Sequence, residues 1–410
     1  MTGGGFFGRA RSRFRHQLLD RLEGMAARAP YPALPGIGPA SGSRPIGIAI
    51  VGCGFVADFY AACLPAWPML MLRAVHDRDD ARAAAFAGRN PGVTVASLDV
   101  LLADPNIAII VNLTNPASHA AITRAALMAG KHVYSEKPMA LDIAEAGELV
   151  ALARARSLHL ACAPCTVLSE TAQAMRFAIA RGDIGTVRLV YAELDDGPVH
   201  QMRPQEWASP QGTPWPWVDE LATGCTLQHA CYHLGWMTIM FGPIEAVSGF
   251  SRTLDPDKGL GPIAPGPDFS VACVPFRSGV TARLTCSTIA PHDQHFRVIG
   301  DRGELFTDAC WHGKAPVYLR RHSDTTMRAE GFPVIRRHAL LRALFGLHGS
   351  LSDLSPRATW RERIARHQID YASGIADLAR ALAEGGEPVM SGERALDVAR
   401  AVIAIDGAGS

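Results

Sequence analysis

The sequence predicts an α/β protein of two domains, a doubly wound parallel sheet followed by an α+β domain whose sheet is mainly antiparallel. Three observations carry that expectation. Between Ile46 and Pro164, continuous apolar runs alternate with amphipathic stretches, the pattern of strands covered on both faces by helices. After Glu245 the strand candidates come in quick succession without helices between them, which suits antiparallel pairing. The chain has 410 residues, too many for one ordinary core and enough for two that need neither disulfides nor a structural metal.

Taken in order, residues 1–44 read as an appendage. Arg9, Arg11, Arg13, Arg15 and Arg21 are interleaved with Phe6, Phe7, Phe14, Leu18, Leu19 and Leu22, and a Pro/Gly/Ser stretch runs from Ala29 to Ser43. The first part has the composition of a basic amphipathic helix and the second that of a linker, so a loosely ordered tail is expected. The first domain, 45–165, begins with IGIAIVG, a helix from about Val56 to Leu64, MLMLRAVHD, a helix from Asp80 to Ala87, and IAIIVNLT. The helix SHAAITRAALMAG, the strand HVYSEKP, a helix from Asp142 to Ala155 and the strand LHLACAP complete it. The second domain, 166–410, starts with a helix from Glu170 to Arg181 and the strand VRLVYAEL. A tryptophan- and proline-rich loop from Asp196 to Glu220 and a helix to about Met240 then precede strands at EAVSGFSR, FSVACVPF, VTARLTCST and HFRVIG. The basic stretch from Arg320 to Arg363 reads as an insertion with some helix, and two closing helices fall at about 364–384 and 391–405.

Composition excludes several classes of partner. Lysine plus arginine (40) balance aspartate plus glutamate (39), so no global field favours nucleic acid or an anionic membrane. No apolar stretch reaches the ~18 residues of a membrane helix, and the N-terminus lacks the apolar core of a secretory signal, which together point to the cytoplasm. Nine scattered cysteines do not form a disulfide framework. Cys162 and Cys165 make a CxxC pair, but a zinc site needs further ligands at matching spacing, so two ordinary cysteines at a strand end are expected.

The chemistry begins at GCGFVA. Gly52, Gly54 and Ala57 form GxGxxA between a strand and a helix, the setting of the dinucleotide fingerprint. Gly52 suits the tight turn, Gly54 lets the backbone approach a pyrophosphate, and small Ala57 lets the helix pack on the strand. The opening of the helix at Phe55 and Val56 offers free N–H groups and a positive dipole end to the phosphates. Asp77 ends the second strand 23 residues after Gly54, where a carboxylate accepts from the ribose hydroxyls and repels a 2′-phosphate. NAD is therefore the expected cofactor, with NADP the alternative because Arg78 is placed to pair with such a phosphate. TNPASH, with Thr114, Asn115, Pro116 and His119, and GKHVYSEKP, with Glu136 and Lys137, fall at carboxyl ends of later parallel strands, where ligands of such sheets bind.

The succession GCGFVA, Asp77, TNPASH, GKHVYSEKP resembles the Gfo/Idh/MocA family of oxidoreductases from about Pro45 to Ala163. ARGDIGTVRLVYAE, VIGDRGELFTD and the segment from HQIDYASGIADL to ARAVIAI resemble the rest of that family more loosely. The resemblance implies a second domain with a large open sheet that also serves in homo-oligomerisation, as a dimer or tetramer. It implies hydride transfer between nicotinamide and a carbon of a sugar, nucleotide sugar or polyol. Lys137 matches the family lysine that stabilises charge on the reacting oxygen, and Glu136 is structural or cofactor-facing. In TGCTLQHACYH, His233 matches the catalytic histidine and is the candidate general acid/base. His229 stands where the family carries an aspartate, which removes a negative charge from the site and alters substrate recognition. Two histidines four apart on a helix are also a metal pair in principle, but no third ligand is identifiable, and no metal is assigned.

The loop DDGPVHQMRPQEWASPQGTPWPWVDE carries Asp195, Asp196, His200, Trp207, Trp215, Trp217 and Asp219. Aromatic faces with carboxylates suit a sugar ring, and tryptophans packed under a long loop are equally common. The leading expectation is an NAD(P)-dependent dehydrogenase acting on CH–OH groups of a small molecule. An NAD-dependent glycoside hydrolase or lyase, and a non-catalytic dinucleotide-binding regulator, are the alternatives on the same fold.

Overall fold

The strands β1 (Ile46–Val51), β4 (Ile109–Asn112) and β5 (His132–Ser135) are short apolar runs buried along almost their whole length. Such strands are stable only inside a sheet covered on both faces. In the computed structural model, which describes residues 45–357 and 369–409, they lie at the centre of a six-stranded parallel sheet. Its order is β3 (Thr94–Val95), β2 (Leu70–His76), β1, β4, β5, β6 (Leu160–Cys162). This is the doubly wound order, with the switch point between β1 and β4. The helices α1 (Phe55–Cys63), α2 (Asp80–Arg89), α3 (Leu98–Ala103), α4 (Pro116–Met128) and α5 (Ile143–Ala155) connect the strands. The side chains of Asp79, Ser97 and Asp142 cap α2, α3 and α5. The N-terminal tail lies outside the described residues.

The helix α6 (Glu170–Ala180) leads into the second sheet through β7 (Val187–Asp195). A short helix, α7 (Trp217–Thr223), begins inside the segment expected to be loop, where Asp219 and Glu220 favour the first turn of a helix. The long helix α8 (Cys225–Phe241) follows. The expected strands then form as β8 (Ser248–Arg252), β9 (Phe269–Pro275), β10 (Thr281–Ser287) and β11 (Phe296–Gly300), with β12 (Gly303–Thr307) after them.

The described part of the insertion holds more order than the sequence suggested. It contributes β13 (Tyr318–Arg321) and β14 (Ser350–Leu351) to the sheet and the short helices α9 (Asp324–Glu330), α10 (Pro333–Arg337) and α11 (Ala339–Leu344). The resulting eight strands run β14-β13-β12-β11-β7-β10-β9-β8. Pairing is antiparallel except between β10 and β7, so the sheet is mainly antiparallel. Along β7 the burial alternates: Val190, Ala192 and Leu194 are buried, whereas Leu189 and Tyr191 face outward.

Two closing helices, α12 (Ser373–Glu384) and α13 (Gly392–Asp406), end the chain. The expected start of the first, near residue 364, falls outside the described residues. Ile375, Ala376, Leu378 and Ala379 of α12 share one core with Ile48, Ile50, Ile109, Val111 and Tyr134, so the far end of the chain completes the interior of the first sheet. Among the described residues no helix is long and apolar enough to cross a membrane.

Candidate active site

Register brings the expected residues together. Val51, Asn112, Ser135 and Cys162 are neighbours across β1, β4, β5 and β6. The residues that follow them, Gly52, Thr114, Glu136 and Lys137, therefore rise from one edge of the sheet, with strands about 4.8 Å apart.

Gly52 has φ of +96°, and a Cβ there would meet the carbonyl oxygen of Leu113 at 2.6 Å and the amide of Thr114 at 2.7 Å. Both constraints demand glycine. At Gly54 an added Cβ would meet nothing within 4 Å. Gly54 stands at the N-cap of α1 with no side-chain cap, so the amides of Phe55 and Val56 open the helix without intrahelical partners, and Ala57 is fully buried against the core. Open space over a helix N-terminus fits the pyrophosphate of a dinucleotide.

Asp77 is nearly buried. Its Oδ2 accepts from the Cys53 amide at 2.8 Å and its Oδ1 from the Asp79 amide at 2.9 Å. It braces the glycine turn, and a carboxylate still has acceptor positions left for ribose hydroxyls. Arg78 is exposed beside it, and Arg82 lies 3.5 Å from Oδ1.

On the next loop Thr114 donates its hydroxyl to Asn112, Asn115 stands at the N-cap of α4, and Pro116 is the first helical residue. His119 departs from the expectation of a cofactor contact. It is buried, with its ring nitrogens 2.6 Å from the Pro138 carbonyl oxygen and 2.9 Å from that of Thr114, so it ties two ligand-facing loops together. Glu136 accepts from the Tyr60 hydroxyl at 2.8 Å and from the Lys137 amide at 3.0 Å, a bracing role.

Lys137 reaches across to α8 and donates to the carbonyl and side-chain oxygens of Gln228 at 3.1 and 2.9 Å. Its ammonium lies over the Tyr232 ring at 5.6 Å. Burial opposes the charge, but Cys231, Glu220 and Glu136 outweigh it and hold the pKa above the ordinary lysine value. Lys137 is therefore a fixed cation beside α8, suited to stabilising negative charge on an oxygen.

The two helix histidines part company. His233, expected as the general acid/base, is completely enclosed: its ring stacks on Phe296 at 5.2 Å, edges Trp236 and lies 2.9 Å from the Glu193 carbonyl. Burial pushes its pKa down to about 4. It is a core histidine here, because the side of α8 on which it lies packs on β7 and β11. His229, one turn earlier, keeps a small part of its side chain exposed. Its Nε2 lies 3.2 Å from Asp196 Oδ2, and its ring meets the edge of Trp311, which also edges Tyr232.

Sequence reasoning missed a further arrangement. Asp58, in the first turns of α1, is buried and accepts from Ser209 at 2.5 Å, Thr213 at 2.6 Å and Arg89 at 2.9 Å. It latches the tryptophan loop to the dinucleotide helix. Trp207 and Trp215 lie against each other within that loop, their ring planes tilted by 36°, while Trp215 and Trp217 pack against Val199, Leu221 and Leu260. Partners some 150 positions apart leave no local signal; an acidic residue in a helix's first turn was the only trace. Trp311, in a turn after β12, left none.

Comparison with known proteins gives the family. A family model described as oxidoreductase family, NAD-binding Rossmann fold, matches residues 46–163, and that of the Gfo/Idh/MocA C-terminal domain matches 172–306. Trans-1,2-dihydrobenzene-1,2-diol dehydrogenase of Bos taurus is 28% identical over 282 residues, covering 67% of this chain and 78% of its own. The Homo sapiens protein of that name is 32% identical over 268 residues, covering 64% of this chain and 74% of its own. Among solved structures, UDP-N-acetylglucosamine 3-dehydrogenase from Acidithiobacillus ferrooxidans superimposes with a TM-score of 0.65 at 19% identity, over 90% of this chain and 98% of that one. An oxidoreductase from Agrobacterium radiobacter in complex with NAD+, L-tartaric acid and magnesium gives 0.68 at 17% identity, over 88% and 96%. At such identities the structures share the fold. The chain belongs to the Gfo/Idh/MocA family of NAD(P)-binding oxidoreductases.

Proposed function

We propose that the protein interconverts a secondary alcohol and a ketone on a small ring compound, a cyclic diol or a sugar ring, with NAD as the partner. The observation that carries this reading is the placement of Lys137 against α8, next to His229 and the aromatic edges of Tyr232 and Trp311. Aromatic walls suit the C–H face of a ring, and a cation at its rim suits an oxygen gaining negative charge. When bound, the nicotinamide supplies the hydride acceptor or donor. Gly52, Gly54 and the opening of α1 would hold its pyrophosphate, and Asp77 its adenosine ribose. Lys137 steadies the alkoxide and orients the reacting carbon.

Several finer features go with this reading. Residues 45–165 bind the cofactor and 166–410 the substrate. The outward face of the second sheet, with Leu189, Tyr191 and Phe250 exposed, is the surface for homo-oligomerisation. Nine free cysteines suit the reducing cytoplasm.

The relatives supply the test compounds. Purified protein with NAD is offered trans-1,2-dihydrobenzene-1,2-diol, UDP-N-acetylglucosamine and simple cyclic polyols, and NADH is followed by absorbance. NADH formation with at least one, lost in Lys137→Ala, is expected. NAD binding without oxidation of any of them overturns the reading.

A further inference from the structure

We propose that Asp196 and His229 act as a pair that removes the proton of the reacting hydroxyl, with His229 Nδ1 the acceptor and Asp196 the residue that positions it. This rests on the reading that an alcohol is oxidised beside Lys137. The pair joins two elements, the end of β7 and the first half of α8, through the 3.2 Å contact between Nε2 and Oδ2. The two side chains are 13% and 12% exposed, so each is largely buried yet keeps some of its surface accessible.

With Nε2–H given to the carboxylate, the Nδ1 lone pair is left free. That atom is buried and has no partner, and neither has the indole Nε1 of Trp311, whose ring it faces edge-on. Buried polar groups are nearly always paired, so an unspent acceptor and an unspent donor on touching side chains point to a ligand. A hydroxyl answers both: it donates to Nδ1 and accepts from the indole N–H. His233 also has an unpartnered Nδ1, but it is sealed between Phe296 and Trp236 and cannot meet a substrate.

The charges around the pair set its resting protonation state. Burial, and then Lys137 from the β5 loop, push His229 down to about 3. Burial raises Asp196 to about 6, with His292 and Gln294 from the segment before β11 pulling it back. Glu220 of α7 bears on Lys137. Above about pH 6 the resting pair is a neutral imidazole donating to a carboxylate. In the oxidation the O–H bond breaks and its proton goes to Nδ1. The C–H pair departs as hydride to the oxidised nicotinamide and the C=O bond forms. The imidazolium produced is held by the Asp196 carboxylate in a charge-assisted bond, a role that the aspartate usual at this helix position could not fill in the same way.

The test uses the full chain with 15N-labelled histidine. NMR of the wild type between pH 6.5 and 8 should show His229 neutral and in the Nε2–H form, and Asp196→Ala should mix the two tautomers. With NAD and whichever alcohol the wild type oxidises, His229→Gln and Asp196→Ala should each lower kcat about a hundredfold while NAD affinity, read by NADH fluorescence, is unchanged. The wild-type rate should fall below about pH 6, and this limb should vanish in Asp196→Ala. An Nδ1–H tautomer, an ordinary histidine titration near pH 6.5, or full turnover by His229→Gln overturns the proposal alone. A wild type that binds NAD but oxidises nothing overturns the functional reading and this proposal with it.

Discussion

The glycine turn at 52–57 and the helix at 225–241 both supply residues of the candidate site, yet they specify their roles differently. At the turn, function follows from the backbone: Gly52 is held by its positive φ and by the Leu113 carbonyl, and Gly54 by the empty space above it. On the helix, His229 and His233 share residue type and are one turn apart, but one is partly exposed beside Asp196 and the other is walled in by Phe296. Backbone requirements are local and can be read from spacing. The role of a helical side chain depends on what the rest of the fold sets opposite it.

The largest effect should come at the turn itself. Gly52→Val combines backbone strain with a clash against backbone atoms and should cost about 3 kcal/mol or more, seen as a large drop in melting temperature. Gly54→Val should leave the melting temperature almost unchanged while NAD affinity, measured by calorimetry, falls about a hundredfold or more. If both variants lose stability equally, the division between a structural and a ligand-facing glycine is wrong.

Lys137→Ala should lower kcat between about a hundredfold and a thousandfold with NAD binding retained, as expected for removal of one charge-stabilising donor. His233→Gln, which keeps a donor for the Glu193 carbonyl, should retain most of the turnover. Loss of activity in that variant without loss of stability would return His233 to the chemistry.

The pH dependence of stability sharpens the contrast between the histidines. His233 has its pKa depressed in the native state to about 4, against ~6.5 when unfolded. Its neutral form therefore favours folding above pH 6.5, and that contribution is lost as pH falls from 6.5 towards 4. Raised carboxyls at Asp195 and Asp196 oppose the trend, so the difference between proteins is the cleaner measurement. Relative to wild type, His233→Gln should gain up to about 3 kcal/mol in denaturant stability between pH 7 and pH 4. A difference independent of pH would show that the ring titrates with the same pKa in the folded and unfolded chain.

The smallest effect belongs to the latch. Asp58→Ala strands two hydroxyls and Arg89 and should cost about 2 kcal/mol. Protease sensitivity of the tryptophan loop should rise accordingly; an unchanged loop would mean that its own packing holds it.

The sequence by itself determined the doubly wound sheet, because apolar strands, amphipathic helices and caps such as Asp79 and Asp142 are local features spanning a few residues. It placed Gly52, Gly54, Asp77, Thr114 and Lys137 at one edge, since parallel strands put their carboxyl ends on the same side. The short strands of the insertion were too weakly patterned to read, and β14 has only two residues. Tertiary structure alone decided that α12 completes the first core, that Asp58 holds Ser209 and Thr213, and that His119 braces loops. It also decided which histidine of α8 stays partly exposed and which is sealed. The pairs involved lie on different elements, and which side chains meet there depends on how the packed elements are set against one another, a quantity no local periodicity contains.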